Sequence, residues 1–234
     1  MKIFAIGDLH LSGEIPQKPM EIFGESWRNH TQKIKTAWRE TVCAQDLVIV
    51  VGDISWAMNL NEVAADLVAL TELPGKKVLL RGNHDYWWSS KSKMEHLYGE
   101  RLFFLQNNFY ACGDTAICGS RGWNLPNDDS WTESDQKILE REVMRLESSL
   151  RQATAAGFKQ LILAMHFPPL LRNISSSPFS RLCEQYKVQH CLYGHLHGTA
   201  AWNIGFQGQL NLTEYRLVSA DYLAFKPYEV SKSN

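Results

Sequence analysis

No stretch of this 234-residue sequence approaches the roughly 20 consecutive apolar residues of a membrane-spanning helix. Residues 1–10 carry only a short apolar run before Asp8, too short for a secretory leader, so none is expected. Neither sign of charge is in excess: 24 Lys and Arg face 25 Asp and Glu, a net charge of −1. This excludes a global basic field that would draw in nucleic acid or an anionic membrane. A local positive site, or the charge of bound metals, would not register in that sum. The five cysteines, Cys43, Cys112, Cys118, Cys183 and Cys191, form no C-x-x-C pair and are odd in number. A disulfide framework is therefore not expected, and each reads as a small buried hydrophobe. The expectation is a cytoplasmic protein with no membrane partner. No repeat or low-complexity tract breaks the chain, and its length suits one domain over residues 1–234.

Short apolar runs alternate with helical patterns. Residues 2–6, 47–51, 78–80, 161–165 and 191–193 read as buried strands, and 116–118 as a weaker one. Leu60, Val63, Leu67 and Leu70 keep helical spacing, as do Leu139, Val143, Leu146 and Leu150. A helix within residues 25–44 would bury Trp27, Ile34, Trp38 and Val42. The first half thus reads β-α-β-α-β, which argues for parallel pairing. Residues 210–212 and 215–218 have no helix between them and read as antiparallel strands closing a second sheet. Segments 122–131 and 173–178, rich in Asn, Asp, Ser and Pro, read as loops.

Polar clusters follow the strands. Gly7-Asp8-Leu9-His10 follows the first, Gly52-Asp53 the second, and Gly82-Asn83-His84-Asp85 the third. His166 ends the run 161–165, and Gly194-His195-Leu196-His197 ends the last. In α/β sheets the ends of parallel strands share one edge, where ligands bind. Taken singly the clusters are weak. Asp-x-His is common by chance, Gly-Asp can be a turn, and His166 can be a satisfied core histidine. Taken together, five of the eight histidines gather at strand ends, which turn chemistry alone does not explain.

Asp8, His10, Asp53, Asn83, His166, His195 and His197 offer imidazole and oxygen donors without a thiolate. That disfavours a structural zinc site or an iron–sulfur cluster and suits Mn²⁺, Fe, Zn²⁺ or Mg²⁺ in open coordination. Seven donors exceed the needs of one catalytic ion. They suit two, about 3.5–4 Å apart, sharing a bridging carboxylate.

The order Asp-x-His, Gly-Asp, Gly-Asn-His-Asp, His, Gly-His-x-His resembles the calcineurin-like metallophosphoesterase superfamily, from Gly7 to His197. The resemblance implies a four-layer α-β-β-α sandwich with two mixed central sheets flanked by helices. It implies that Asp8, His10 and His197 hold one metal and that Asn83, His166 and His195 hold the other. Asp53 would bridge them, and His84 would be a general acid rather than a ligand. The implied reaction is hydrolysis of a phosphomonoester or phosphodiester by a hydroxide bridging the two ions, with His84 protonating the leaving oxygen.

One motif departs from the Ser/Thr protein phosphatases of the superfamily. Asp53 is followed by Ile54-Ser55-Trp56-Ala57-Met58, without their further Asp and Arg residues. A protein phosphatase is therefore not expected, and the residue that orients His84 is left open. Arg121, between glycines in Gly119-Ser120-Arg121-Gly122-Trp123, would either grip a phosphate or form a surface ion pair. Arg81, which precedes Gly82, is a second candidate for that grip, with a structural role the favoured reading. Trp56, Trp87, Trp88, Trp123 and Tyr86 follow the motifs closely and would either wall a substrate or fill space. The alternatives to a small-molecule phosphoesterase are a nucleotide phosphodiesterase or nuclease, a non-catalytic metal-site scaffold, and a hydrolase of lipid-linked phosphates. The nuclease would favour a basic track, and the lipid hydrolase an apolar helix face, that the sequence does not offer.

Overall fold

The computed structural model describes residues 1–13, 19–99, 101–126 and 131–230. The first half runs β1 (Ile3–Ile6), α1 (His30–Thr41), β2 (Leu47–Val50), α2 (Leu60–Thr71), β3 (Lys76–Leu80), α3 (Lys91–Tyr98) and β4 (Leu102–Leu105). The second runs β5 (Phe109–Cys112), β6 (Thr115–Ser120), α4 (Glu133–Ala155), β7 (Gln160–Met165), α5 (Pro178–Gln185) and β8 (His190–Tyr193). Three short strands follow: β9 (Gly208–Leu210), β10 (Thr213–Leu217) and β11 (Tyr228–Val230).

These strands form two mixed sheets, ordered β11-β1-β2-β3-β4 and β5-β6-β7-β8-β10-β9. In the first, β1 to β4 are parallel and β11 is antiparallel to β1. In the second, β6, β7, β8 and β10 are parallel, with β5 and β9 as antiparallel edges. The sheets pack face to face between helices, giving an α-β-β-α order. Alternation along each strand produces the layers, because successive side chains point to opposite faces. Ala5, Ile49, Val78, Ile117 and Leu192 meet between the sheets. Phe4, Ile6, Val48, Val50 and Leu79 face Ile34, Trp38, Val63 and Leu67 of α1 and α2. On the far side Leu139, Leu146 and Leu150 of α4 cover Cys118, Leu161 and Leu163. Both strand faces are apolar, so these strands appear in sequence as unbroken hydrophobic runs.

Several expectations shift in detail. The helix expected within residues 25–44 divides. Glu25–Trp27 is a 3-10 turn, Asn29 adopts φ 55°, and α1 begins only at His30. Trp27, Ile34, Trp38 and Val42 are all buried nonetheless. The late hairpin sits two residues earlier than expected, because Asn211 (φ 52°) turns the chain and leaves Leu212 63% exposed at the tip. Pro178 is not loop but the first turn of α5, capped by the Ser177 side chain, which accepts from Ser180 N. Of the loop expected over residues 122–131, positions 127–130 lie outside the described residues. None of the five cysteines is in a disulfide. No helix among the described residues is long and apolar enough to cross a membrane.

The layered core makes adjacent positions of α4 unequal. Leu146 is fully buried and Met144 is 63% exposed. Leu146→Ala should cost about 2–5 kcal/mol in chemical denaturation through the lost apolar contact and the cavity. Met144→Ala should stay within about 0.5 kcal/mol. Equal effects would mean that α4 does not cover the second sheet as described.

Candidate metal centre

The two sheets are laced together where their parallel strands end. Gly7 N donates to Val218 O at 2.7 Å and Ala220 N to Gly7 O at 2.9 Å, joining the end of β1 to the end of β10. The loops after β1 and β2 form a second ladder: Asp8 N to Gly52 O at 3.0 Å, His10 N to Asp53 O at 2.9 Å, and Leu11 N to Ile54 O at 2.9 Å. Gly194 N reaches His166 O at 3.1 Å. Five motifs scattered from Gly7 to His197 thus share one edge.

The backbone there is left-handed at four non-glycine residues: Asp8 (φ 55°), His10 (φ 45°), Asp53 (φ 50°) and His195 (φ 70°). Each such conformation costs on the order of 1–3 kcal/mol and persists only where its surroundings enforce it. Here it turns each side chain off its strand end toward a common centre. Two glycines make the convergence possible. Gly52 adopts φ 96°, and a Cβ on it would lie 2.7 Å from His166 Nδ1. A Cβ on Gly82 would run into Asp53 Oδ1 and the Asp53 backbone N.

Asp53 lies at the focus. Its Oδ2 is 3.7 Å from His10 Nε2 and its Oδ1 is 3.5 Å from His166 Nε2. One carboxylate therefore faces two groups of donors. On the Oδ2 side stands His10, whose ring centroid lies 5.2 Å from that of His197. Beside Oδ1 stands Asn83, whose Oδ1 lies 2.6 Å from His166 Nε2 and 3.0 Å from His195 Nδ1. Donor atoms of Asp8, Asp53 and His166 all lie within 4.8 Å of one another. The Asp8 carboxylate accepts from His195 N at 3.0 Å. The seven expected ligands are thus brought together, and their grouping accommodates the two-metal division.

The hydrogen bonds of the donor set fit bound cations. His10 Nδ1, His10 Nε2, His197 Nδ1 and Asp53 Oδ2 are buried and meet no hydrogen-bonding partner among the described residues. His166 Nδ1 lies 3.0 Å from Val51 O, a carbonyl that can only accept, so Nδ1 carries the proton. Its Nε2 therefore presents a lone pair, and the Asn83 oxygen presents another to it. Acceptors converging on acceptors are satisfied by a shared cation. The charge states agree. Burial lowers His166 to about 3 and His195 to about 2, and holds His10 well below its ordinary value. His197 is also lowered by burial, against the pull of Asp221. All four imidazoles are neutral at pH 7, the form that ligates. Burial raises Asp8 well above the carboxylate range, with Asp53 adding, and raises Asp53 to about 6.

Three residues anchor the loops of the site, a role that the sequence did not reveal. Asp85 uses both of its carboxylate oxygens to tie loops together. Its Oδ1 accepts from Ile54 N, Ser55 N and Trp87 Nε1 at 2.9, 3.2 and 2.9 Å, and its Oδ2 from Gly82 N at 2.7 Å. It thereby ties the loop after β2 to the loop after β3. Asp66 on α2 accepts from Ser55 Oγ at 2.6 Å and from Gly13 N at 2.9 Å. Asp221 accepts from Gly198 N at 2.5 Å and holds the last motif. Sequence position alone could have flagged Asp85, but not its direction.

Around the centre stands an aromatic shell. Trp56 stacks on His10 at 4.6 Å and 21°, and tilts against His84 at 4.6 Å and 55°. It occupies the sequence segment where the protein phosphatases carry acid and Arg. His84 N donates to Asp53 Oδ1 at 2.8 Å, which leaves the imidazole beside the ligands but outside their grouping. Tyr86, 54% exposed, lies 6.4 Å from the His84 ring at the rim. Trp87 and Trp88 are buried, the first donating through Nε1 to Asp85 and the second to Gln106 Oε1 at 3.0 Å. Trp123 is set back, bonded through Nε1 to Asp135 at 3.0 Å and 5.3 Å from Phe167. Arg121 lies over the Trp123 ring at 4.8 Å and pairs with no carboxylate among the described residues, so the surface ion pair is not formed there. Its charge bears on Asp53, helping His84 oppose the effect of burial.

Gly82→Ala should therefore displace Asp53 and reduce bound metal, measured by elemental analysis, to well below that of the wild type; unchanged metal content would refute the close approach. Loading with Mn²⁺ should release protons from Asp8 and Asp53 but not from the neutral histidines. Release, read by calorimetry in buffers of different ionisation enthalpy, should be greater at pH 6 than at pH 8. Release that does not fall with pH would contradict this.

Comparison with known proteins places this geometry in a family. The profile of calcineurin-like phosphoesterases matches residues 1–199. Among solved structures, a protein of unknown function from Aquifex aeolicus, AQ665, superposes with a TM-score of 0.52 at 16% identity, covering 97% of this chain and 95% of that one. The protein TT1561 of Thermus thermophilus superposes with a TM-score of 0.51 at 12% identity, covering 98% and 97%. At those identities the likeness concerns the fold. No curated protein matches the sequence. With its motifs gathered at one strand-end edge and the family profile spanning most of its length, the chain belongs to the calcineurin-like phosphoesterases.

Proposed function

We propose that this protein hydrolyses phosphomonoesters or phosphodiesters of small molecules, using two divalent ions and His84 as general acid. The observation that carries the proposal is Asp53, whose two oxygens face two separate groups of neutral donors. Asp8, His10 and His197 would hold one ion, Asn83, His166 and His195 the other, and Asp53 both. When bound, such a pair neutralises phosphoryl charge and lowers the pKa of water toward about 7, with Mn²⁺, Fe or Zn²⁺ all compatible with these ligands.

The protein's own groups do the remainder. Val51 O fixes the His166 tautomer, and Asp85 holds the loops carrying Asp53 and Asn83 in register. The Trp56 ring limits the swing of His84. From the rim, His84 is positioned to hand a proton to a departing oxygen. The aromatic shell keeps water from the imidazoles, so charge interactions act at low dielectric. Near-neutral net charge gives a long polymer substrate no support, and the unpaired cysteines fit a reducing compartment such as the cytoplasm.

With Mn²⁺, the purified protein should hydrolyse a chromogenic phosphoester, and Asp53→Asn should abolish turnover; full activity in Asp53→Asn or in metal-free protein would sink the mechanism. His84→Ala should retain both metals yet slow turnover about 10²–10⁴-fold, most for poor leaving groups. Equal slowing across leaving groups would remove His84 from proton donation.

A further inference from the structure

Beside the metal centre, on the same edge, lies a cavity of about 310 Å³ between the ends of β3 and β6 and the face of α4. That volume suits a small-molecule group. Four guanidiniums line it: Arg81, Arg121, Arg141 and Arg145. The one carboxylate lining it, Glu142, is already engaged. Its Oε1 accepts from Arg145 Nη1 at 2.7 Å, and its Oε2 from Ser120 Oγ at 2.6 Å. Arg81, Arg121 and Arg141 have no carboxylate within ion-pair distance among the described residues. The Nε atoms of Arg81 and Arg121 are buried without an acceptor there. Burial depresses the Arg121 pKa, with Glu142 opposing and the three other arginines adding to the depression. Like charges brought together this closely are stable when an anion completes them.

The cavity adjoins the reacting centre. Arg81 precedes Asn83 by two residues, so their Cα atoms lie within about 7 Å. Arg121 O accepts from His166 N at 3.1 Å. Guanidinium forks match the oxygens of a phosphate in paired hydrogen bonds, and several of them together favour a multiply charged oxyanion.

We propose that this cavity holds a second phosphoryl group of the substrate, so that the substrate class is a small molecule carrying two phosphoryl groups, one cleaved at the metals and one held by Arg81, Arg121 and Arg141. The assignment rests on the phosphoesterase reading above. Arg141 is exposed on α4 and Arg81 half-buried, so their replacement spares the core.

Two measurements test it. Inorganic pyrophosphate is titrated calorimetrically into the full-length protein in excess chelator. It should bind the wild type and Asp53→Asn, and bind Arg81→Gln and Arg141→Gln about tenfold or more weakly. No binding, or equal binding by all four proteins, would overturn the proposal. With Mn²⁺ present, kcat/KM is compared for a bisphosphorylated ester and its monophosphorylated counterpart with the same leaving group. The preference for the first should fall about tenfold in Arg141→Gln; an unchanged ratio would also overturn it. If neither ester is turned over, the phosphoesterase reading falls and takes the substrate assignment with it, whereas the pyrophosphate titration decides the oxyanion site on its own.

Discussion

Two aspartates, Asp8 and Asp53, are buried with no lysine or arginine in ion-pair contact among the described residues. Burying a carboxylate this way costs several kcal/mol unless positive charge reaches it. The structure around them answers that constraint. Imidazoles face them in neutral form, so they offer lone pairs and no charge of their own. Backbone N–H groups of His84 and His195 supply partial compensation. A cation would answer the constraint in full, and the left-handed backbones of Asp8, His10, Asp53 and His195 are the conformational cost of aiming those four donors inward. The rest of the fold serves this arrangement. Two sheets end at one edge, helix residues such as Asp66 hold the loops in place, and the layered core supplies the stability that the strained edge draws on.

The gathering of the candidate ligands was legible because each follows an apolar strand and carries a distinctive polar neighbour. Asp8 and His10 follow β1, and His195 and His197 follow β8. Strand ends converge by topology, so local patterns predicted a distant meeting. The anchors were not legible, for a physical reason. Asp66 and Asp85 act through backbone N–H groups on other segments, and no local spacing records which N–H a carboxylate will meet. The arginines share the difficulty: Arg81 ends β3 while Arg141 lies on α4, and only the packing of α4 over the strand ends brings them together. Among the elements, β4 is a four-residue apolar run and β11 only three residues, Tyr228-Glu229-Val230, both too short for a period to distinguish strand from loop. α5 was hidden by reading Ser177-Pro178 as loop composition rather than as a cap and first turn.

The aromatics have a graded role. Trp27 and Trp56 line the His10 side, while Phe167 packs on His195 at 4.2 Å. Phe23 covers His197 at 4.8 Å. Nonpolar rings thus flank each histidine while the donor atoms still face inward. Such a shell holds imidazoles by their faces, while the Val51 carbonyl at His166 Nδ1 leaves Nε2 as the donor there.

Arg121 divides its duties between main chain and side chain. Its carbonyl receives His166 N and Phe167 N, and so supports the loop that carries a ligand. Its guanidinium leans over Trp123 and lines the cavity. The first duty rests on a backbone carbonyl, which every amino acid carries, while the second depends on the side chain alone. On the proposed reading, what the cavity accepts is separable from the candidate metal ligands at a single position. If the cavity holds a phosphoryl group as proposed, drift at Arg121 and along α4 would change what it accepts while leaving the candidate metal ligands untouched.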